Sequence, residues 1–403
     1  MLGQSPEKDE TAAALVSLLR HASVASPFYR DCRWAERLRA GNEVVFAEDV
    51  AITAKAGVRE DASRFHAERV PEADGKVIDK FTSGSTGEPM HVRKTARHFR
   101  LNERENTRLK EGWGIDGYRA VLAVKSAGAD APFGSVNAQS KGKRTFWTLA
   151  GLDSTHALAL VREHRITMMH SYPSVAEEVL KLAAERNEAL SLALAVTVGE
   201  VLSEEFQDAA RRQNCRILDT YGTVETGIIA GLCATCGRYH PADRHLVFEV
   251  LNEVGRPVGP AGIGRVVVTP LYNSAMPLMR YETGDFVELA DDGGCIRSSV
   301  AIRRIVGRER NMFILPDGRK VTPMIPARTA QELGMRQFKL VQTTREDVEI
   351  RYVLRDGASP LGAEPLQALI DAYLSPGLRA HPRQVAEIPR APGGKYLMHE
   401  CLV

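Results

Sequence analysis

The chain of 403 residues is long enough for two or three domains and needs no disulfide staples to stabilise its core. Its 53 basic and 51 acidic residues nearly balance, so the sequence lacks the broad positive charge typical of nucleic-acid-binding proteins. No run of about 18 apolar residues occurs, and the opening MLGQSPEKDE lacks the basic and apolar regions of a signal peptide. We therefore expect a cytoplasmic protein without a nucleic-acid or membrane partner, and its oligomeric state stays open.

The N-terminal part begins with the amphipathic segment AAALVSLLRHA, which predicts a helix before Pro27. From residue 120 onward, short apolar strands alternate with amphipathic helices. The strands are predicted at residues 120–128, 166–172, 192–199 and 215–222, and the helices at residues 173–187 and 203–214. This alternation predicts an α/β fold with a mostly parallel, helix-flanked sheet.

After about Asp285 the pattern changes to that of a small α+β unit. The segment FILPDGRKVTP contains the turn signal Asp317-Gly318, MRQFKLVQ and DVEIRYVLR predict antiparallel strands, and PLQALIDAYL predicts a helix. We place a domain boundary near Gly307. This gives a large N-terminal domain of residues 1–306 and a small C-terminal domain of residues 307–403.

Three segments are candidates for ligand binding. TSGSTGEP at residues 82–89 combines hydroxyls and glycines in the manner of a phosphate-binding loop, although it lacks the Gly-Lys-Ser/Thr ending of a P-loop. Residues 199–200 and 221–225 follow predicted strands. Ligands of parallel sheets bind beyond the carboxyl ends of the strands, so these two loops are expected near a ligand.

Five stretches in this order and spacing resemble the successive motifs of the adenylate-forming enzymes. They are TSGSTGEP (82–89), YGTVE (221–225), YETGD (281–285), GRERN (307–311) and GGK (393–395). The segments LLRHASVASPFYRDC and ITAKAGVRED resemble the beginning of the phenylacetate-CoA ligase branch of that superfamily. The resemblance extends from about Leu18 to Lys395.

The resemblance implies a two-step reaction. A carboxylic acid, aromatic by analogy with the branch, attacks the α-phosphorus of ATP, and pyrophosphate leaves. The resulting acyl-adenylate is then opened by a thiol, for which coenzyme A is the first expectation. A carrier-protein phosphopantetheine and an amine or other small nucleophile are alternative acceptors. A nucleotide-binding protein that has lost turnover is the alternative outside the enzymes.

The resemblance also implies roles for individual residues. The phosphate loop holds the leaving pyrophosphate through Thr82, Ser83, Gly84, Ser85, Thr86 and Gly87. Other contacts to the nucleotide come from Gly199, Glu200, Tyr221, Gly222, Thr223, Asp285 and Arg308. Tyr221 flanks the adenine, Asp285 accepts the two ribose hydroxyls, and Arg308 contacts ribose or phosphate.

Two charged residues are implied to act directly on the reacting groups. Glu225 binds Mg²⁺, a role that suits a hard carboxylate, and Lys395 of the mobile C-terminal domain reaches the α-phosphate and the substrate carboxylate. From the residues alone, an acid at position 225 is equally consistent with the N-terminus of a helix. Asp285 is likewise equally consistent with a residue that only forms a turn.

The sequence departs from the superfamily pattern at several positions. Val224 replaces a hydroxyl residue before Glu225, and Met90 replaces a lysine that often closes the phosphate loop. Arg310 and Asn311 stand where the superfamily has paired aspartates at the hinge of the C-terminal domain. The adenylating step is therefore expected more firmly than the transfer step.

Six cysteines scattered over this length do not predict a disulfide framework. Cys233, Cys236 and His240 have metal-ligand spacing, and a closed zinc site requires a fourth ligand. Cys295 supplies that ligand if the segment before residue 307 folds back onto residues 233–240. The pattern thus predicts a structural zinc ion, and the alternative is two reduced cysteines in a surface loop.

Overall fold

The computed structural model describes residues 6–82, 89–127, 131–290, 295, 300–323, 325, 327–390 and 395–403. The chain divides into two compact units. The first consists of Met1–Gly117 and Leu218–Ile305, and the second of Tyr118–Ile217 and Val306–Val403. One division thus falls next to the boundary expected near residue 307, while the assignment of residues 1–306 and 307–403 to separate domains stays a prediction.

The described residues form the following elements. The helices are α1 (Pro6–Ala25), α2 (Pro27–Arg30), α3 (Arg33–Arg39), α4 (Phe46–Asp49), α5 (Lys55–Glu60), α6 (Ala96–Glu111), α7 (Ser154–Glu163), α8 (Pro173–Glu185), α9 (Glu204–Arg212), α10 (Ala327–Glu332) and α11 (Ala363–Tyr373). The strands are β1 (Val77–Phe81), β2 (His91–Thr95), β3 (Ala120–Lys125), β4 (Val136–Lys141), β5 (Arg144–Ala150), β6 (Met168–Ser171), β7 (Leu194–Val198), β8 (Arg216–Thr223), β9 (Gly227–Leu232), β10 (Tyr239–Pro241), β11 (Leu246–Leu251), β12 (Ile263–Pro270), β13 (Tyr281–Leu289), β14 (Ile302–Arg308), β15 (Phe313–Ile314), β16 (Lys320–Val321), β17 (Met335–Gln342), β18 (Asp347–Leu354), β19 (Arg379–Gln384) and β20 (His399–Cys401). None of these helices is both long and apolar enough to cross a membrane.

The first unit contains sheet strands in the order β11-β12-β13-β14-β10-β9-β8. The pairs β11–β12, β12–β13, β8–β9, β9–β10 and β10–β14 are antiparallel. The sequence patterns did not predict these strands apart from β8. A separate antiparallel pair, β1 and β2, flanks the phosphate loop.

Tyr29 connects the N-terminal helices to the strand that carries the YETGD segment. Its ring is buried and packs against Phe28, Trp34 and Phe65. Its hydroxyl accepts a hydrogen bond from the backbone N–H of Met279 (3.0 Å), just before β13. The N-terminal segment is thereby fixed next to β13.

The second unit contains the strand order β7-β6-β3-β5-β4. β3 is parallel to β5 and β6, β6 is parallel to β7, and β4 is antiparallel at the edge. Its core combines these strands with α7, α8 and α9 through large apolar side chains such as Leu122, Leu158, Met169, Val179 and Phe206. The predicted α/β fold is confirmed, although β3, β6 and β7 are each shorter than the predicted strands.

The C-terminal segment of the second unit is α+β, as the sequence predicts. The Asp317-Gly318 turn joins β15 to β16, and β17 pairs antiparallel with β18 in a sheet of order β19-β18-β17-β20. Helix α11 packs on this sheet through Leu366 and Ile370. This segment also contains Lys395.

Candidate active site and cysteine cluster

The phosphate loop is closed at its base by reciprocal hydrogen bonds. The Thr82 backbone N–H donates to the Met90 carbonyl (3.0 Å), and the Met90 N–H donates to Thr82 Oγ1 (2.9 Å). Five of the predicted phosphate contacts lie outside the described residues: Ser83, Gly84, Ser85, Thr86 and Gly87. The phosphate-binding role of the loop therefore stays a prediction.

Glu225 lies in the tight turn between β8 and β9, at residues 224–226, and only 3% of it is exposed. The Lys55 ammonium is 3.1 Å from its Oε1 atom, and the Tyr281 hydroxyl donates to the same atom at 3.0 Å. The alternative that Glu225 begins a helix is wrong, because the chain turns directly into an antiparallel strand. Its buried carboxylate instead has a cationic partner and a phenol donor.

The turn needs glycine at position 222. A Cβ atom on Gly222 would lie 2.5 Å from the Gly227 carbonyl oxygen across the hairpin. Such a contact is far inside van der Waals distance, so any side chain here would push β8 and β9 apart. Gly222 and Thr223, both predicted nucleotide contacts, thus lie on the strand that leads to Glu225.

The surroundings of Glu225 favour its charged form. Burial alone would raise the pKa of the carboxyl group, but the Lys55 charge and the hydrogen bonds outweigh it, so the pKa lies below its ordinary value. Burial, together with the Glu225 charge, raises the pKa of Tyr281, which therefore remains a hydrogen-bond donor. Lys94 is also buried, and burial lowers its pKa to about 8 against the opposing attraction of Glu225.

Lys55, like Tyr281, is a residue of this site to which sequence reasoning assigned no role. It begins α5, and its ammonium also donates to the Thr283 carbonyl (3.0 Å). Two residues earlier, the Thr53 N–H donates to the Arg280 carbonyl just before β13, and the Thr53 carbonyl accepts from the Glu282 N–H within β13. The segment ITAKAGVRED carried a family resemblance, yet nothing in its composition marks Lys55 as a partner of Glu225.

Tyr221 and Asp285 come from separate motifs and meet in the structure. The Tyr221 hydroxyl donates to Asp285 Oδ2 (2.9 Å), and the Asp285 N–H donates to Thr283 Oγ1 (3.1 Å). The interpretation of Asp285 as a turn residue is wrong, since it lies within β13. The predicted adenine and ribose contacts are thus adjacent, and Asp285 is held in one orientation.

In the second unit, Gly199 and Lys395 come together. Gly199 has φ +89°, and a Cβ atom there would lie 3.3 Å from Lys395 Cε and 3.4 Å from its Nζ. Both the positive φ and this approach favour glycine. The adjacent Glu200 accepts hydrogen bonds from Ser174 and Tyr396. Arg308, another predicted nucleotide contact, is the last residue of β14 and is half-buried.

The four predicted zinc ligands also come together in the first unit. The ligand atoms of Cys233, Cys236, His240 and Cys295 all lie within 4.8 Å of one another. His240 Nε2 is 3.1 Å from the sulfur of Cys236 and 3.1 Å from that of Cys295. The turn from β9 to β10 provides Cys233 and Cys236, β10 itself provides His240, and Cys295 comes from the segment after β13.

Two further features suit this cluster to a metal. His240 Nδ1 lies 3.0 Å from the Val300 carbonyl, a contact that directs Nε2 towards the cysteines. Burial opposes ionisation of Cys233, but the backbone N–H groups of Thr235 and Cys236 lower the pKa of its thiol overall. A thiolate and an oriented imidazole are the donors that zinc prefers.

Residues 9–269 match the sequence model of the AMP-binding enzyme family. The chain belongs to this family, which confirms the resemblance and the predicted class of AMP-forming acid ligase.

Two curated relatives support the same branch. The phenylacetate-coenzyme A ligase of Pseudomonas putida is 25% identical over 312 residues, which are 74% of this chain and 69% of that protein. The phenylacetate-coenzyme A ligase of Thermus thermophilus is 29% identical over 170 residues, which are 39% of this chain and 37% of that protein.

Solved structures of low sequence identity show the same fold. A 2-hydroxyisobutyryl-CoA ligase in complex with 2-HIB-AMP has a TM-score of 0.73 at 17% identity, covering 99% of this chain and 90% of that chain. An anthranilate CoA ligase in complex with anthranoyl-AMP has a TM-score of 0.57 at 15% identity, covering 79% of this chain and 65% of that chain.

Proposed function

We propose that the protein activates an aromatic carboxylic acid with ATP, releases pyrophosphate, and transfers the acyl group from its adenylate to coenzyme A. The observation that carries the proposal is the buried Glu225 carboxylate, which is held ionised beside Lys55 and Tyr281. Family membership and two curated relatives that are phenylacetate-coenzyme A ligases support the same chemistry. Both ATP and coenzyme A are available in the cytoplasm, where we place the reaction.

In the first step, an oxygen of the substrate carboxylate forms a bond to the α-phosphorus, and the bond from that phosphorus to the bridging oxygen of pyrophosphate breaks. Negative charge spreads over the phosphoryl oxygens in the transition state, so catalysis depends on positioned positive charge and hydrogen-bond donors. Lys395 supplies that charge at the α-phosphate and orients the attacking carboxylate. The hydroxyl and backbone N–H groups of residues 82–87 hold the departing pyrophosphate.

Glu225 is the residue proposed to bind Mg²⁺. Its carboxylate is ionised at neutral pH, and a hard anionic oxygen is the donor that this ion prefers. When bound, the ion neutralises phosphate oxygens. The Lys55 ammonium, which lies 3.1 Å from the same carboxylate, stabilises the turn that carries Glu225.

The nucleoside is proposed to lie against Tyr221 and Asp285. A carboxylate has two oxygens with which to accept hydrogen bonds from the vicinal hydroxyls of ribose. The Tyr221 hydroxyl donates to one of these carboxylate oxygens, Asp285 Oδ2, at 2.9 Å. This pair positions the α-phosphate relative to the acid.

Tyr221→Phe is expected to raise the KM for ATP by about 10-fold, because a hydrogen bond to a charged group is lost. The value of kcat should change much less, since the phenol is not assigned to the reacting atoms. Steady-state kinetics in ATP would measure both parameters. Tyr352→Phe, which removes a phenol on β18 that donates to the Leu361 backbone carbonyl, is the matched control. An unchanged KM in Tyr221→Phe would contradict the proposed nucleoside contact.

The acceptor is tested by product analysis. The protein would be incubated with ATP, Mg²⁺ and one acid, which is phenylacetic, benzoic or anthranilic acid. Separate reactions would contain coenzyme A, a phosphopantetheinylated carrier protein or an ammonium salt as the acceptor. We expect AMP and an acyl-coenzyme A thioester by mass spectrometry. A carrier-bound thioester or an amide in place of the coenzyme A product would replace the proposed acceptor and leave the adenylating step intact.

Cys233, Cys236, His240 and Cys295 are proposed to bind one structural zinc ion. Their donor types and mutual distances fit a closed tetrahedral site, in which zinc would link the turn after β9 to the segment after β13.

We expect about one zinc per chain, by elemental analysis of protein purified without added metal. Cys236→Ser should lose most of this zinc, whereas Cys401→Ser, at a cysteine outside the cluster, should retain it. A fully folded wild-type protein without zinc would contradict the proposal.

A further inference from the structure

The Glu200 carboxylate, predicted above as a nucleotide contact, accepts three hydrogen bonds from protein donors. It accepts hydrogen bonds from the Ser174 backbone N–H (2.9 Å), the Ser174 hydroxyl (3.1 Å) and the Tyr396 backbone N–H (2.6 Å). The side chain is only 6% exposed. Ser174 lies in the first turn of α8, where the helix dipole favours a negative charge.

Arg390 adds a second connection to the same place. Its Nη1 atom donates to the Ser174 hydroxyl at 2.6 Å and lies 3.7 Å from Glu200 Oε1. Arg390 precedes Lys395 by five residues, and Tyr396 directly follows it. The carboxylate therefore contacts the chain on both sides of Lys395.

Tyr396 also connects this contact to the body of the C-terminal sheet. Its hydroxyl donates to the Phe338 carbonyl on β17 (2.8 Å). The residue after Lys395 is thus fixed by its side chain to the sheet and by its backbone to Glu200. Glu200 itself follows Gly199, where a Cβ atom would lie 3.4 Å from Lys395 Nζ.

We propose that Glu200 is a positioning residue that fastens the Lys395 segment in its place for adenylate formation. The carboxylate acts through the Tyr396 N–H and the Arg390 guanidinium and holds the Lys395 ammonium beside Gly199. This inference rests on the proposed function, because it assigns Lys395 to the adenylating step. Thioester formation starts from a finished adenylate and involves no attack on the α-phosphorus, so it does not need the Lys395 ammonium beside Gly199. This second step should therefore not need Glu200.

The variants are Glu200→Ala, which removes all three hydrogen bonds, and Glu200→Gln, which keeps the shape but replaces one acceptor oxygen with a donor. Glu185→Gln is the control, since Glu185 is an exposed residue at the end of the same α8. Adenylation would be measured as pyrophosphate release with phenylacetic acid and hydroxylamine. Transfer would be measured with synthetic phenylacetyl-adenylate and coenzyme A.

We expect Glu200→Ala to lower kcat for adenylation by roughly 10- to 100-fold, the range for hydrogen bonds to a charged group, with less than a two-fold change in transfer. Glu200→Gln should show a smaller loss of the same pattern, and Glu185→Gln none. An equal loss in both half-reactions would indicate a purely structural role, and a rise in the KM for ATP alone would indicate a nucleotide contact. Either result would overturn the inference.

A second measurement does not depend on the acid. Hydrogen exchange of the Tyr396 backbone N–H in the full-length protein should become at least about 10-fold faster in Glu200→Ala than in the wild type and Glu185→Gln. If wild-type protein fails to activate phenylacetic acid while this difference is present, the choice of acid or the proposed function is wrong and the contact stands. Unchanged exchange at Tyr396 would overturn the inference whatever the kinetics.

Discussion

Lys395→Ala is expected to slow adenylate formation by roughly 100- to 1,000-fold, the usual effect of removing one preorganised group that stabilises transition-state charge. Nucleotide binding should remain nearly intact, because the other assigned contacts come from Thr82, Tyr221 and Asp285. Pyrophosphate release with phenylacetic acid would measure the rate, and calorimetry would measure ATP binding.

Lys320→Ala is the matched control for this variant. Lys320 is an exposed lysine of β16 that pairs with Glu309, so its loss removes the same charge from the C-terminal segment without touching Gly199 or its surroundings. Adenylate formation at the parent rate by Lys395→Ala would show that the lysine has no part in the chemistry. A loss of ATP affinity equal to the loss of rate would assign it to ground-state binding.

Glu225→Gln is expected to lower the adenylation rate by about 100-fold at a fixed Mg²⁺ concentration. The substitution keeps the size of the side chain but removes the charge that is proposed to hold the metal, and such charge stabilisation contributes several kcal/mol in comparable sites. It also leaves the Lys55 ammonium without its carboxylate partner at 3.1 Å. Adenylation rates measured over a range of Mg²⁺ concentrations would separate these effects, because only weakened metal binding is partly recovered by added Mg²⁺.

Glu282→Gln provides the comparison for this second variant. Glu282 lies on β13 within the YETGD stretch and, like Glu225, forms an ion pair, with Arg265 at 3.0 Å, but the family resemblance implies no role for it. It should change the rate little. A normal rate and Mg²⁺ dependence in Glu225→Gln would remove Glu225 from the reaction and leave its ion pair with Lys55 as a structural feature.

Sequence periodicity predicted the parallel strands β3, β6 and β7 because they are largely buried and continuous in apolar residues, but it missed the exposed edge strand β4 and its neighbour β5. The parallel strands β3, β6 and β7 and the Ser203 cap of α9, whose hydroxyl accepts from the Phe206 N–H at 3.0 Å, follow from local patterns. Strand β13 does not. Its Thr-Gly-Asp sequence carries a turn signal and Gly284 has φ +76°, yet the segment lies within the strand, at an irregularity of the pairing with β12 between Glu282 and Phe286.

The motifs singled out the acids and cysteines of the candidate site, and the structure added their contacts. Cys295 lies beside Cys233, Cys236 and His240, as expected if the segment before residue 307 folds back onto residues 233–240. Lys55 lies 170 positions from Glu225, and Glu200 lies 196 positions from Tyr396. Neither contact leaves a signal in the local sequence, because each depends on how distant elements pack. The Tyr396 contact is formed by its backbone N–H, which every residue except proline provides.

Acid-dependent pyrophosphate release is the most direct test of adenylation by this protein. Purified protein with ATP, Mg²⁺ and hydroxylamine would be supplied with aryl, amino-aryl and aliphatic acids in turn. We predict release and hydroxamate formation with at least one acid, strongest among the aryl acids. Protein that binds ATP but releases no pyrophosphate with any of these acids would contradict the proposed reaction and favour a nucleotide-binding protein without turnover.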